Sequence, residues 1–284
     1  MPELPEVETI VRDLASAIVG ARVQSVWGSG QALHLARAVD LVGLRRVAGA
    51  RAVAAVRRRG KYVLIECEPR GASGGDPGAA RPGVLIHLGM SGRLLVQRGE
   101  EPRPPHTHVA FVFSDGRELR FRDPRRFGWV APGAPLAGRP ELAALGPDPL
   151  TELDAGGLTA MLAGARAPIK AFLLDQSRIA GLGNIYVAEA LHRAGIHPAT
   201  PAARVRGRAA VLLAGIRAAL ELGIRNRGTT LRDYVDSFGT GGNNAASLRV
   251  YGRDGQPCPV CGAVIRRRVD SGRSTFFCPR CQRR

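Results

Sequence analysis

The 284-residue chain has no apolar run approaching the roughly 18–20 residues that a membrane helix needs. It also lacks a basic, apolar leader: it opens Met1-Pro-Glu-Leu-Pro-Glu-Val-Glu8, an acidic start. Cysteine is scarce, five in all, and four of the five crowd into the last 27 residues, which does not fit a secreted disulfide framework. A soluble intracellular protein is expected. Lysine is almost missing as well. Of 41 Lys plus Arg, only Lys61 and Lys170 are lysine, against 24 acids, so the formal charge of +17 is carried by arginine. Such an excess fits a polyanionic partner, nucleic acid or an anionic surface, although Arg richness alone can reflect coding composition.

What is present divides the chain. The first 20 residues form an acidic island, with Glu3, Glu6, Glu8 and Asp13 against Arg12. Val7, Ile10, Val11, Leu14 and Ile18 recur at helical spacing, predicting a helix over residues 5–18, ended by Gly20. Residues 22–130 read as short strands, including 61–67, 84–88, 93–96 and a hairpin of 109–113 with 117–122 around Ser-Asp-Gly. Residues 69–83, rich in Gly, Pro and Ala, read as a surface loop, and residues 131–149 as a linker. Helical periodicity then appears at 158–163, 169–176, 185–194, 202–223 and 231–236, before strands return around the terminal cysteines.

Cys258-x2-Cys261 and Cys278-x2-Cys281, sixteen residues apart, match the four-cysteine zinc pattern. Two matched pairs argue against a redox motif. Four thiolates leave no open coordination position, so one structural zinc ion is expected. Cys67, alone on a strand, reads as a core residue. Between the pairs, residues 264–269 and 274–277 would form a hairpin bearing Arg266, Arg267, Arg268 and Arg273, suited either to phosphates or to a solvated face. The turn Gly181-Leu-Gly-Asn184, opening a helix, offers backbone N–H groups to an anion, although most such turns only cap.

Pro2 admits two readings. With a small residue in second place, Met1 can be removed, leaving a secondary amine with a reference pKa of about 7.7–8 and therefore a usable neutral fraction. Such an amine attacks an electrophilic carbon to give an iminium, with Glu3 as general acid or base and Glu6 orienting the pair. Equally, Pro and acids suit the first turn of any helix.

The whole chain, from residue 2 to residue 281, resembles the bacterial formamidopyrimidine-DNA glycosylases, of the wider family that includes endonuclease VIII. The matching segments, in order, are Pro2-Glu-Leu-Pro-Glu-Val-Glu8, Arg59-Gly-Lys-Tyr62, His87-Leu-Gly-Met-Ser-Gly-Arg-Leu94 and Asp123-Pro-Arg-Arg-Phe-Gly128. They continue with Ile169-Lys-Ala171, Ala180-Gly-Leu-Gly-Asn-Ile-Tyr186, Val250-Tyr-Gly-Arg253 and the four-cysteine finger. The resemblance implies an α+β multidomain fold. It comprises an N-terminal β-sandwich with an N-terminal helix (1–131), a linker (132–149), a helix-two-turn-helix domain (150–248) and a β-hairpin zinc finger (249–284).

It implies a base-excision repair enzyme on damaged double-stranded DNA, both glycosylase and abasic-site lyase, acting as a cytoplasmic monomer on oxidised purines such as 8-oxoguanine and formamidopyrimidines. Pro2 would attack C1′ and hold the sugar as a Schiff base while elimination at both phosphates cuts the strand. Glu3, Glu6, Lys61 and Arg273 would complete the catalytic set. Met90, Arg125 and Phe127 would fill the gap left by the flipped nucleotide, and His106, Lys170 and Asn184 would contact DNA.

The physics agrees: a base must leave the stack before C1′ is reachable, and a wedge that refills the stack offsets that cost. Outside the resemblance, Met90 and Phe127 read more readily as core residues, and Arg125 equally as one more surface cation or as a phosphate contact. The two lysines fall within family motifs, as expected where a compact ammonium fits and a planar fork does not. One departure stands out. Residues 239–248 carry no aromatic, where the family usually has a Phe-Gln pair over the flipped purine. The competing readings are an endonuclease VIII-like specificity for oxidised pyrimidines and a non-catalytic zinc-ribbon DNA-binding protein.

Overall fold

In the computed structural model, which describes residues 1–34, 38–69 and 81–283, the acidic N-terminal segment forms α1 (Leu4–Ile18). Pro5 sits in its first turn, where no N–H is needed, and Val7, Ile10, Leu14 and Ile18 line one buried stripe. Glu3 and Glu6 close a reciprocal capping box, the Glu3 N–H donating to Glu6 Oε2 at 2.8 Å.

The stripe packs into a core between two four-stranded antiparallel sheets. The first runs β1 (Val23–Gly28), β6 (Thr107–Phe113), β7 (Arg117–Arg122), β5 (Arg93–Arg98). The second runs β2 (Val53–Arg59), β3 (Tyr62–Cys67), β4 (Gly83–His87), β8 (Trp129–Gly133). Cys67 is fully buried in this core, and burial pushes its thiol up to about 12. The chain divides into two compact units, Met1–Ala143 with Arg227–Gly242, and Ala144–Asn226 with Asn243–Arg284.

The second unit contains α4 (Ala155–Leu162), α5 (Ile169–Leu174), α6 (Asn184–Arg193) and α7 (Ala209–Arg225), the last preceded by a 3-10 turn at Ala202–Arg208. α6 and α7 approach closely at glycine. A Cβ on Gly223 would lie 2.6 Å from the Tyr186 hydroxyl, and one on Gly215 2.8 Å from the Ala190 carbonyl oxygen. The hairpin β9 (Arg266–Asp270) and β10 (Arg273–Phe277) turns at Ser271 and Gly272, both at positive φ. Among the described residues, no helix is long and apolar enough to cross a membrane.

Several sequence expectations need correction. The strand-only reading of residues 22–130 misses α2 (Leu41–Ala48), which Asp40 caps by accepting the Gly43 N–H at 2.7 Å. The 131–149 linker contains the end of β8, a 3-10 turn at Leu136–Gly138 and the short α3 (Pro140–Ala143). Residues 231–236 form no helix. Their polar groups bond side chain to backbone, as when Thr230 Oγ1 donates to the Tyr234 carbonyl. Residues 227–242, inside the segment read as the helical domain, pack instead with the N-terminal unit. Most of the 69–83 loop, residues 70–80, lies outside the described residues.

Candidate active site and nucleic-acid contacts

In the first unit, Pro2, Glu3 and Glu6 are all buried at the start of α1, with Glu6 1% exposed. The Glu6 carboxylate is held from two directions. Oε2 accepts the Glu3 N–H, and Oε1 accepts the Thr229 N–H at 2.7 Å, from a residue 223 positions away in sequence. Tyr234, packed beside Glu6, has its phenol pushed well above the usual range by burial first and by the Glu6 charge second.

Lys61 lies in the two-residue turn between β2 and β3, where Gly60 takes φ +55°, and is only 8% exposed. On adjacent strands, Tyr62, His87 and Trp129 form an aromatic cluster in which His87 stacks on Trp129 and Tyr62 is tilted against both. Burial, then the Lys61 and His34 charges, pull His87 down to about 4, so its ring is neutral. The neighbouring strand end is tied to α1 by Arg58 Nε donating to Glu8 Oε2 at 2.8 Å, and the Arg58 and Arg12 guanidinium groups hold Glu8 below the usual carboxylate range against its burial.

Met90, Arg125 and Phe127 are brought together by Asp123, whose role has no signature in the sequence. Asp123 is fully buried, and its carboxylate accepts Ser91 Oγ–H at 2.5 Å, the Gly128 N–H at 2.8 Å and the Arg125 N–H at 3.2 Å. Ser91 belongs to the loop carrying Met90, and the other two donors flank Phe127. Gly89, at φ +59°, allows contact, since a Cβ there would lie 2.5 Å from the Gly128 nitrogen. The result is an exposed tip, with Met90 38% and Phe127 45% exposed and the Arg125 guanidinium 4.7 Å from the Phe127 ring centre. These side chains are not core. His106 is exposed at φ +68°, and its carbonyl accepts the Asp123 N–H at 3.0 Å.

In the second unit, Lys170, Asn184 and Arg273 converge on the finger hairpin. Lys170 Nζ donates to the Ser274 carbonyl (2.9 Å) and Thr275 Oγ1 (2.7 Å), and Asn184 Nδ2 donates to the same Ser274 carbonyl (2.9 Å). Asn184 is therefore the first residue of α6 and not its cap, which is Gly183. Its Oδ1 is buried without a hydrogen-bond partner. Arg273, next to Ser274 at the hairpin tip, lines a cavity of ≈620 Å³ with Lys170, Arg268 and Asp270. Burial lowers the Lys170 ammonium to about 8, and Arg273 and Arg268 add to this against the opposing Asp270 charge.

The four cysteine sulfurs lie within 4.8 Å of one another, with Cys258–Cys281 at 3.9 Å and Cys261–Cys278 at 3.4 Å. Four Zn–S bonds of about 2.3 Å in a tetrahedron require sulfur separations of about 3.8 Å, so the set fits one zinc ion. Two supports of this site have no local signature in the sequence. Glu189 of α6, 2% exposed, accepts the backbone N–H groups of Arg249, Val250 and Tyr251 (2.9–3.1 Å), anchoring the approach to the finger. His192 Nε2 lies 3.4 Å from Cys258 Sγ.

A proline-led acidic helix start on a β-sandwich, with a cationic helical unit that bears a zinc-binding hairpin, defines a class of nucleic-acid-processing proteins. The chain belongs to the formamidopyrimidine-DNA glycosylase family. The formamidopyrimidine-DNA glycosylase N-terminal domain matches residues 1–130, the H2TH domain of the same enzymes residues 145–235, and the zinc finger found in FPG and IleRS residues 255–284.

The formamidopyrimidine-DNA glycosylase of Rhodospirillum rubrum is 47% identical over 295 residues, covering 100% of both chains, and that of Paracoccus denitrificans is 45% identical over 99% of this chain and 100% of its own. The MutM (Fpg) structure from Thermus thermophilus superposes with a TM-score of 0.82 at 37% identity, covering 99% and 98% of the two chains. The Lactococcus lactis Fpg structure, solved with DNA containing an abasic site, gives 0.86 at 31% identity and covers 99% and 100%.

Proposed function

We infer that this chain is a base-excision repair enzyme, a DNA glycosylase and abasic-site lyase that removes oxidised purines from duplex DNA with one structural zinc. The observation that carries this is the Glu6 carboxylate, which accepts from both Glu3 N–H and Thr229 N–H and so fixes the helix start beside Pro2. Fixing this geometry matters because misplacement by about 1 Å can cost roughly 100-fold in rate.

Once Met1 is removed, the Pro2 nitrogen lone pair attacks C1′ of the flipped nucleotide. The C1′–base bond breaks, the base leaves with the bonding pair and accepts a proton, and the attacking amine loses its own proton. The nitrogen lone pair then opens the sugar ring, breaking C1′–O4′ as O4′ takes a proton, to give an iminium at C1′. Glu3 moves the protons. The cationic iminium acidifies C2′–H, so its removal expels the 3′ phosphate, and a second elimination expels the 5′ phosphate. Lys61, Lys170, Asn184 and Arg273 hold backbone phosphates, His106 contacts the strand, and Met90, Arg125 and Phe127 occupy the vacated stack. Zinc, when bound, supplies only the cross-link that holds the hairpin, and Cys258, Cys261, Cys278 and Cys281 would ligate it. The protein acts as a cytoplasmic monomer.

The test is borohydride trapping on duplexes carrying 8-oxoguanine, an oxidised pyrimidine or an abasic site. An adduct on the 8-oxoguanine and abasic duplexes that disappears in Pro2→Gly is expected. No adduct on any substrate would favour a non-catalytic zinc-ribbon binder. An adduct confined to the oxidised pyrimidine would favour the endonuclease VIII-like specificity.

A further inference from the structure

Arg227 adopts φ +57°, a left-handed conformation that glycine takes freely and a side chain does not. Its side chain explains the residue type. Nη2 donates to both carboxylate oxygens of Asp13 (2.9 and 2.8 Å) and to Asp236 Oδ2 (2.6 Å), bridging two carboxylates that are 7% and 4% exposed. Asp13 lies seven residues after Glu6 on α1, hence on the same face and about 10 Å further along the helix. Asp236 also accepts the Phe238 and Thr240 N–H groups, and the Tyr234 hydroxyl donates to the Arg227 carbonyl at 3.1 Å.

The backbone immediately after this clamp is the one that touches Glu6. A Cβ on Gly228 would lie 3.0 Å from Glu6 Cγ, and Thr229 supplies the N–H to Glu6 Oε1. The segment is thus attached to α1 at two points two helical turns apart. Arg227 is 46% exposed, so solvent screens the ion pairs and their value lies in direction more than in energy.

We propose that Arg227, clamped between Asp13 and Asp236, is a positioning residue for the reaction: it orients the Gly228–Thr229 backbone that holds the Glu6 carboxylate. This rests on the assignment of Glu6 to the catalytic site. Two variants break the clamp with opposite changes of charge: Arg227→Gly removes a positive charge and suits the backbone conformation, and Asp13→Asn removes a negative one. If the clamp acts by positioning, both lower the single-turnover cleavage rate on a saturating 8-oxoguanine duplex by about 10- to 100-fold and shift the acidic limb of its pH profile. A general electrostatic effect would move the two variants in opposite directions, and a merely structural role would lower the melting temperature and the active fraction without moving the pH profile.

Glu6→Gln is measured alongside. Wild-type rate and pH profile in Arg227→Gly, with Glu6→Gln impaired, overturns the clamp alone. A Glu6→Gln variant at the wild-type rate overturns the assignment of Glu6, and the clamp falls with it.

Discussion

Asp123→Asn changes one buried atom and tests whether the stack-filling tip is assembled by a single carboxylate. The carboxylate accepts three donors on two oxygens, Ser91 Oγ–H and Arg125 N–H on Oδ1 and Gly128 N–H on Oδ2. An amide accepts at one of those positions only. With its oxygen at Oδ1, the amide nitrogen faces the Gly128 N–H, donor against donor; flipped, it faces the Arg125 N–H, and only Ser91 can turn to accept. A charge-assisted hydrogen bond is worth about 1.5–3 kcal/mol and a stranded buried donor costs about 1–3 kcal/mol, so with partial relaxation the variant should lose about 2–4 kcal/mol. That loss is read by urea denaturation of the zinc-loaded protein.

The functional signature is narrower. The two loops part, so preference for a lesion duplex over an intact one falls, while affinity for the intact duplex, set by phosphates, stays near wild type. An Asp123→Asn protein with an unchanged denaturation midpoint and unchanged lesion preference would refute the assignment of Asp123 as the organiser.

With Lys170 at about 8, its ammonium is lost as pH rises through that value, so DNA affinity at constant salt should fall above pH 8, and Lys170→Arg should flatten this dependence. Fold stability moves the other way, rising between about 8 and 10.5 because there the unfolded chain still binds the proton; a wild-type binding profile as flat as that of the Arg variant would contradict this. Metal analysis should find one zinc per chain, and Cys278→Ser should lose both the ion and DNA binding; binding that survives metal removal would exclude the finger from the interface. On a zinc thiolate, His192 Nε2 can only donate to Cys258, so His192→Phe should release zinc to a chelator roughly tenfold faster; an unchanged rate would show that the contact does not tune the site. Lys61→Arg should impair cleavage despite keeping the charge, because a planar fork replaces a point donor at a site 8% exposed; full activity would refute the size argument.

The parts of this fold legible in the sequence are those whose signal is local. The α1 stripe, the alternation of β6 and β7 around Ser-Asp-Gly, and the paired Cys-x-x-Cys turns each declare themselves within a few residues. α2 does not, because its eight residues offer barely two turns of period between strands. Residues 231–236 mislead for the opposite reason. Leu231, Tyr234 and Val235 look periodic, but Thr230, Asp236 and Tyr234 spend their polar groups on backbone and on α1, which leaves no helix.

The arginine excess is only partly a DNA signal. Arg120 is 1% exposed, and its guanidinium donates to Glu118, Gln97 and the carbonyls of Pro102, Arg98 and Glu101. Arg217 likewise donates to the carbonyls of Pro149 and Leu153. Composition counts such groups with Arg273, although they hold loops together.

The same distinction governs the site itself. Apart from His106, the residues that would meet DNA lie in the contiguous motifs, because a reacting or phosphate-binding group must be of one chemical type at one place. The residues that aim them are chemically ordinary and, except for Asp123 at the head of its own motif, lie outside the motifs: Glu189 under the approach to the finger, Thr229 and Arg227 arriving more than two hundred positions after Glu6. Their role exists only through partners that sequence order does not reveal. The aromatic-free segment at 239–248 follows this logic. Its Asn244 is 2% exposed and accepts from Asn226 Nδ2 at 3.1 Å, and Gly242, whose Cβ would meet the Gly228 carbonyl at 2.2 Å, donates to Thr230 Oγ1. Small size at Gly242 thus lets this backbone close on Gly228, which itself packs against Glu6.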